Sequence, residues 1–370
     1  MKLAIVHDFL NQYGGAEKCV EAFHELYPNA PIFTSIYIPE IMPKSFREME
    51  IRTSFLQHMP FKRKHFKKFL LLYPKAIESF DLSEYDLILS SSSAFAKGVR
   101  KPKDACHISY CYTPMRFVWD YENYIVKENV SPLIKKYLPR FISGLKVWDL
   151  KNNENVDFFI AISRHINKRI QQCYNRQSDV IYPPVDVDAF HVSDSIDNYF
   201  LIVSRLNAYK RIDIVINAFN RLGLPLRIVG EGLHRKILEK IAGPTIAFMG
   251  RLDERSLAEH YAHCRAFIFP GSEDFGIAPL EAQSAGRPVI AFAAGGALET
   301  VIDGHTGIYF NEQSVESLVD AVNKFVNKEN EFNSTDIRNN ARRFDKNQFK
   351  SAISRYVTEK YEEFRKRTKR

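Results

Sequence analysis

Apolar residues in this chain fall into short solid runs separated by longer stretches in which they recur at helical spacing. The runs are LAIVH (3–7), DLILS (86–90), HISYC (107–111) and DFFIAI (157–162) in the first half. In the second they are FLIVS (200–204), LRIVG (226–230), IAFMG (246–250), AFIFP (266–270), VIAFA (289–293) and GIYF (307–310). Runs this short and this apolar suit strands covered on both faces, and the amphipathic stretches between them supply the covering helices. Ser163, directly after one run, is placed to N-cap the next helix. The alternation predicts an α/β protein with two doubly wound parallel sheets. YPPVDVDAF (182–190) has two prolines and no helical period, so it reads as the crossing. The expected division is 1–182, 183–346 and a C-terminal segment 347–370. That last segment sets Phe349, Ile353, Tyr356, Tyr361 and Phe364 at helical spacing, as for a helix packing back on the first domain.

The stretch GSEDFGIAPLEAQSAGRP (271–288) places one carboxylate, Glu273, in a loop after a strand and a second, Glu281, eight positions on. Pro279 suits a first helical position because its missing N–H would be unpaired there, and Gly286 with Pro288 ends the helix. Both carboxylates then stand at the carboxyl end of the sheet, where open α/β folds bind ligands. The competing reading makes Glu281 a complement to the helix dipole and Glu273 a solvated loop charge.

The 370 residues, 45% hydrophobic and 26% charged, suffice for two cores. Five scattered cysteines without metal-type spacing give neither a disulfide framework nor a zinc site, which fits a reducing cytosol. The opening MKLAIVHDF is too short an apolar run for a signal peptide, and no segment has the ~20 apolar residues of a membrane span. The net charge of +8 admits nucleic acid, an anionic membrane or a phosphorylated substrate. Much of it sits in HMPFKRKHFKKFLLLYPKA (58–76), which predicts a basic amphipathic helix with Lys62, Arg63, Lys64, Lys67 and Lys68 beside Phe61, Phe66 and Phe69. An ordinary surface helix is the alternative.

Three features favour an anionic ligand. Gly14-Gly15 opens the helix AEKCVEAFHEL, Arg205 and Lys210 follow the strand FLIVS, and AAGGALE (293–299) again sets glycines before a helix. No GxGxxG follows the first strand, and the chain has neither GxxxxGK[ST] nor GxSxG. Those absences count against a dinucleotide dehydrogenase, a P-loop ATPase and an α/β-hydrolase.

Taken in order, GGAE, SRL with Lys210, RIVGEG, FMGRL and EDFGIAPLE resemble the retaining glycosyltransferases of the GT-B fold, family 4, over nearly the whole chain. HDFLNQYGGAE and YCYTPMRFVWD look like a mannosyltransferase subgroup of bacterial surface polysaccharide synthesis. The resemblance implies two Rossmann-like domains facing across a cleft and a nucleotide-sugar donor, with no metal and no cofactor required. It implies that Glu281 receives the ribose hydroxyls, Glu273 the transferred sugar, and the N–H groups around Phe275, Gly276 and Ile277 the remainder. Arg205 and Lys210 neutralise the diphosphate, and Gly15 lies near the donor. Relatives often have His where this chain has Tyr112, which therefore takes a positioning role. His7, Asp8 and Gly14 are acceptor-side candidates. Gly250, Leu252, Asp253 and Glu254 lie where the family holds the base. A carboxylate there accepts guanine's N1–H and N2–H₂ together, so GDP-mannose is the expected donor. Asp253 as an N-cap is the alternative.

The expected partners are the nucleotide sugar, a glycan or lipid-linked acceptor and an anionic membrane surface, without nucleic acid. The expected location is the cytoplasm, peripherally on the cytoplasmic face of the membrane. A GT-B-like sugar-nucleotide epimerase and a non-enzymatic basic membrane- or nucleic-acid-binding protein are the competing functions.

Overall fold

A computed structural model describes residues 1–60, 62–121 and 132–368. The chain divides into two compact units, Met1–Pro184 with Phe349–Arg370, and Val185–Gln348. The crossing thus falls at Pro184, inside the proline-containing stretch.

The first unit contains β1 (Leu3–His7), β2 (Ile32–Thr34), β3 (Ile51–Thr53), β4 (Leu87–Ser92), β5 (Cys106–Cys111), β6 (Phe158–Ala161) and β7 (Ser178–Val180). They form one parallel sheet in the order β3-β2-β1-β4-β5-β6-β7. β1, β4 and β5 are buried along their whole length, the polar His107, Ser109 and Ser90 included, as central strands of a parallel sheet covered on both faces are. Ser163 caps the helix Arg164–Tyr174, accepting from the Ile166 N–H at 3.1 Å. The helix Lys346–Thr368 buries Phe349, Ile353, Tyr356, Val357 and Phe364. Its partners in this unit include Phe23, 5.5 Å from the Phe349 ring, and Asp179, which accepts from the Tyr356 hydroxyl at 3.0 Å.

The second unit contains β8 (Phe200–Val203), β9 (Leu226–Val229), β10 (Ile246–Gly250), β11 (Phe267–Phe269), β12 (Val289–Phe292) and β13 (Gly307–Phe310). Their order is β10-β9-β8-β11-β12-β13, again all parallel. Alternate residues of each strand go to opposite faces. Phe200, Ile202, Ile268 and Ile290 join one core, whereas Leu201, Phe267, Phe269, Val289 and Ala291 join the other. A sheet buried on both sides this way is doubly wound, and each large side chain it buries contributes about 1.5–3 kcal/mol.

The stretch 58–76 departs from the expected single helix. It is broken into Lys62–His65, a 3₁₀ turn Phe66–Phe69 and a new helix Tyr73–Glu78. Like charges three and four apart weaken a continuous helix, and Pro74 cannot donate back across a turn. Phe66 and Phe69 pack on the core of the first unit, with the Phe66 ring 5.5 Å from that of Phe9. Phe61 lies outside the described residues, as do the side chains of Lys64 and Lys67. Among the described residues no helix is long and apolar enough to cross a membrane.

Candidate active site

In both sheets, which stay parallel throughout, the order of strand addition switches side between two neighbouring strands, β1 and β4 in the first unit and β8 and β11 in the second. Loops leaving such a pair diverge in opposite directions, which opens a ligand crevice at the strands' carboxyl ends.

In the second unit, β8 leads through the exposed Arg205 and the buried Leu206 to a 3₁₀ turn, Ala208–Lys210. Arg211 then takes a left-handed conformation, φ 54°, and starts the helix Ile212–Leu222. From the other side β11 ends at Pro270-Gly271, and the backbone of Glu273 pairs with Gly295. The Gly296 N–H donates to the Glu273 carbonyl at 2.8 Å. A Cβ on Gly295 would collide with the Glu273 backbone and one on Gly296 with the Phe275 backbone, so the glycines of AAGGALE let the loop after β12 lie against the loop after β11. Lys210, arriving from the β8 side, sets its Nζ 2.5 Å from Glu273 Oε1, with both side chains partly buried. An ion pair this close to solvent contributes at most about 1 kcal/mol to stability, so it is better placed to position charge than to hold the fold.

Gly276 opens the helix Ile277–Ser284 at φ 90°. Pro279 is therefore the third helical residue rather than the first, a position that also lacks an intrahelical acceptor. Glu281 falls one turn in, where the Tyr261 hydroxyl donates to its Oε2 at 3.0 Å. Burial, then the Glu281 charge, pushes the Tyr261 phenol well above its ordinary pKa, which keeps it a donor. Phe275 is buried, its ring 5.7 Å from Phe344. After β10, Gly250 has φ 69° and Leu252 packs against the core that holds Leu201, Phe267 and Phe269. Asp253 caps the helix Glu254–His263: Oδ1 accepts the Ser256 N–H at 2.8 Å and Oδ2 the Ser256 hydroxyl at 3.0 Å. Those bonds, the backbone one first, lower the Asp253 pKa. Glu254 is exposed beside it.

The first unit treats its crevice differently. Both Asp8 oxygens are taken: Oδ2 by the Ser93 N–H (2.6 Å), Ser93 hydroxyl (2.8 Å) and Ala94 N–H (3.0 Å), Oδ1 by the N–H groups of Phe95 (2.7 Å) and Ala96 (2.6 Å). Asp8 thus ties the loop after β1 to the loop after β4 and has no capacity left for an acceptor. His7 is buried, with Nδ1 3.0 Å from Ser91 Oγ and Nε2 3.8 Å from Oε1 of the buried Glu17. The Tyr112 hydroxyl donates to the Ala16 carbonyl at 3.0 Å and lies 2.8 Å from Ser91 Oγ. Burial raises its pKa well above the ordinary value. Tyr112 therefore anchors the start of the helix Gly15–Leu26, which Gly14 caps, and its hydroxyl faces the protein.

Residues 186–344 match the family model "Glycosyl transferases group 1". The second unit is a glycosyltransferase group 1 domain. An uncharacterised glycosyltransferase of Methanocaldococcus jannaschii is 26% identical over 47% of this chain and 51% of its own. The Escherichia coli O-antigen chain mannosyltransferase C is 28% identical over 65% of this chain and 67% of its own. The chain thus spans from about half to two thirds of these relatives. Among solved structures, Anabaena Alr3699/HepE in complex with UDP superposes with a TM-score of 0.72 at 18% identity, covering 97% of this chain and 100% of that one. The fold is the GT-B class, with two Rossmann-like parallel-sheet domains.

Within the glycosyltransferase domain the fold brings together Lys210 and Glu273, and with Glu281 it brings Tyr261, which no sequence signal near Glu281 announces. The first unit also holds a buried ion pair absent from any motif. Lys97 Nζ is 2.7 Å from Asp149 Oδ1, while Asp149 Oδ2 accepts from Trp119 Nε1 (2.7 Å) and the Tyr174 hydroxyl (2.9 Å).

Proposed function

We propose that the chain is a retaining, metal-independent glycosyltransferase that moves a mannosyl group from GDP-mannose to a glycan or lipid-linked acceptor in surface polysaccharide synthesis. The observation that carries the reading is the Lys210–Glu273 contact at the switch in strand order of a glycosyltransferase group 1 domain. An ammonium has three donors, so Lys210 can keep Glu273 in place and still meet a phosphate. With Arg205 it would offset the charge that grows on the leaving diphosphate as the anomeric bond breaks, and preorganised charge of this kind is usually the largest catalytic contribution. Glu273 then accepts from a hydroxyl of the sugar, and Glu281, oriented by Tyr261, from the ribose diol. The first N–H groups of the helix Ile277–Ser284 face the same ligand. Retention follows from attack on the face the phosphate leaves, with the departing oxygen taking the acceptor's proton.

Mannose is favoured by the likeness to the Escherichia coli mannosyltransferase. Guanine rests on Glu254, because the Asp253 oxygens are engaged in capping. The opposing choice is uracil, the base in the Anabaena complex. On the acceptor side, the exposed Arg63, Lys68, Leu71 and Leu72 form a basic and apolar surface suited to the cytoplasmic face of an anionic membrane. Vesicle flotation that ignores anionic lipid content would remove that docking role.

Thermal stabilisation by GDP, UDP, ADP and their sugars tests the donor, since a ligand at a hundred times its Kd adds about 2.7 kcal/mol. GDP and GDP-mannose should shift the midpoint most, and product release should require an acceptor. Greater stabilisation by UDP would overturn the guanine assignment, and no shift with any nucleotide sugar would overturn the transferase reading.

A further inference from the structure

The helix Glu254–His263 sets Glu259 and His263 one turn apart, and His191, from the exposed segment after Phe190, reaches the same place. Glu259 Oε2 is 3.4 Å from His263 Nε2 and 3.9 Å from His191 Nε2. One ligand atom from each residue falls within 4.8 Å of the others. The two imidazole centroids are 6.5 Å apart with planes at 73°, so the rings converge rather than stack. A neighbouring Glu and His on a helix is ordinarily a weak surface pair. Here the third group comes from another segment.

A second observation points the same way. His263 Nδ1 lies 3.0 Å from the Ser195 carbonyl. That oxygen can only accept, so Nδ1 carries the proton and Nε2 presents its lone pair toward Glu259 and His191. An imidazole whose far nitrogen donates to a backbone carbonyl is the outer arrangement found behind metal-bound histidines. Around a zinc ion with ligand bonds of about 2.0–2.2 Å, tetrahedral neighbours stand roughly 3.3 Å apart. The 3.4 Å separation already meets this, and rotation of the half-exposed His191 and Glu259 side chains closes the 3.9 Å one.

We propose that His191, Glu259 and His263 form a binding site for a divalent transition ion of zinc type. Two imidazole nitrogens and one carboxylate, with no thiolate, suit zinc and its neighbours and disfavour calcium and magnesium, which take oxygen ligands. The ion's work is structural. Residues 191–198 are mostly exposed and are tied down by the Asp197 N–H to the His263 carbonyl at 2.8 Å, the His263–Ser195 contact and the Arg287 guanidinium on the Ser193 carbonyl. Coordination would staple this segment to the helix Glu254–His263, leaving a fourth position for water. His263 is nine residues along that helix from Glu254, roughly 13 Å at 1.5 Å per residue, so the ion takes no part in gripping the donor base.

Zinc chloride titrated calorimetrically into the chelator-treated full chain tests the site, with cobalt(II) as the absorbance reporter. One equivalent should bind, give a tetrahedral-type cobalt spectrum and raise the thermal midpoint. H191Q, E259Q and H263Q should each weaken binding at least tenfold and abolish the thermal shift, while H234Q, at a histidine outside the cluster, should change neither. Absence of stoichiometric binding, equal binding by H191Q and the wild type, or equal affinity for magnesium would each overturn the proposal.

Discussion

Gly276→Ala probes how the helix that carries Glu281 is made. At φ 90° an L-residue is strained, at a cost of about 1–3 kcal/mol. The new Cβ would also stand 2.9 Å from Phe269 Cζ and 3.2 Å from Cε1, where ordinary contacts begin near 3.4 Å. Phe269 is buried in the core it shares with Leu201, Phe267 and Val289, so the ring cannot swing out, and overpacking adds about 1–3 kcal/mol. Together the two effects reach about 2–6 kcal/mol, a large part of a typical stability of about 5–15 kcal/mol. Gly304→Ala is the control: its φ is 75° but nothing lies within 4 Å of the added methyl, so only strain remains. Urea denaturation should therefore place Gly276→Ala below Gly304→Ala by the overpacking amount, and Phe269→Leu should recover part of that difference in the double variant. Relief of the clash displaces the 274–277 backbone, so GDP binding by calorimetry should fall at least tenfold in Gly276→Ala and stay unchanged in Gly304→Ala. Equal stability and equal nucleotide binding in the two variants would refute the reasoning.

Lys210→Ala and Arg205→Ala should each lower turnover on the order of a hundredfold with little change in the unfolding midpoint; near wild-type turnover in both would remove their diphosphate role. Asp253→Ala should lose an N-cap worth about 1 kcal/mol without altering the preference between GDP and UDP, whereas Glu254→Ala should erase that preference. Burial holds His107 down at about 3, against an ordinary 6.5, so from pH 6.5 to 3 the unfolded chain binds more protons and stability falls as pH falls. This residue should cost about 2 kcal/mol between pH 7 and pH 5, and His107→Gln should flatten the pH dependence of the unfolding free energy from urea titrations by that amount.

The central strands were legible because strands buried on both faces are built mainly from apolar residues. β2, β3 and β7 were not: each is three residues long and carries polar side chains (Thr34; Arg52 and Thr53; Ser178 and Asp179), so no solid apolar run marks it as one marks the equally short β11. The segment 58–76 misled for a related reason. Its charges gave an amphipathic pattern, but whether Phe66 and Phe69 face outward depends on Phe9 and the core beneath, far away in sequence. Glu273 and Glu281 could be found from local punctuation by glycine and proline. Asp8 could not be assigned that way, because its role depends on donors about 85 residues downstream.

The C-terminal helix also has a bearing on the order of events during synthesis. The first unit is interrupted: its last piece, from Phe349 onward, is translated only after the whole of Val185–Gln348. Domains commonly fold as they emerge, the N-terminal one first. Here the glycosyltransferase domain is the first unit that can be completed. Until then Phe23 and Tyr110 lack the Phe349 ring that later sits 5.5 and 5.7 Å from them. The five side chains buried by that helix are together worth on the order of 10 kcal/mol, comparable to the stability of an entire domain. A nascent chain halted before Phe349 would therefore present an apolar seam to chaperones and proteases, and the closing helix is the step that withdraws it.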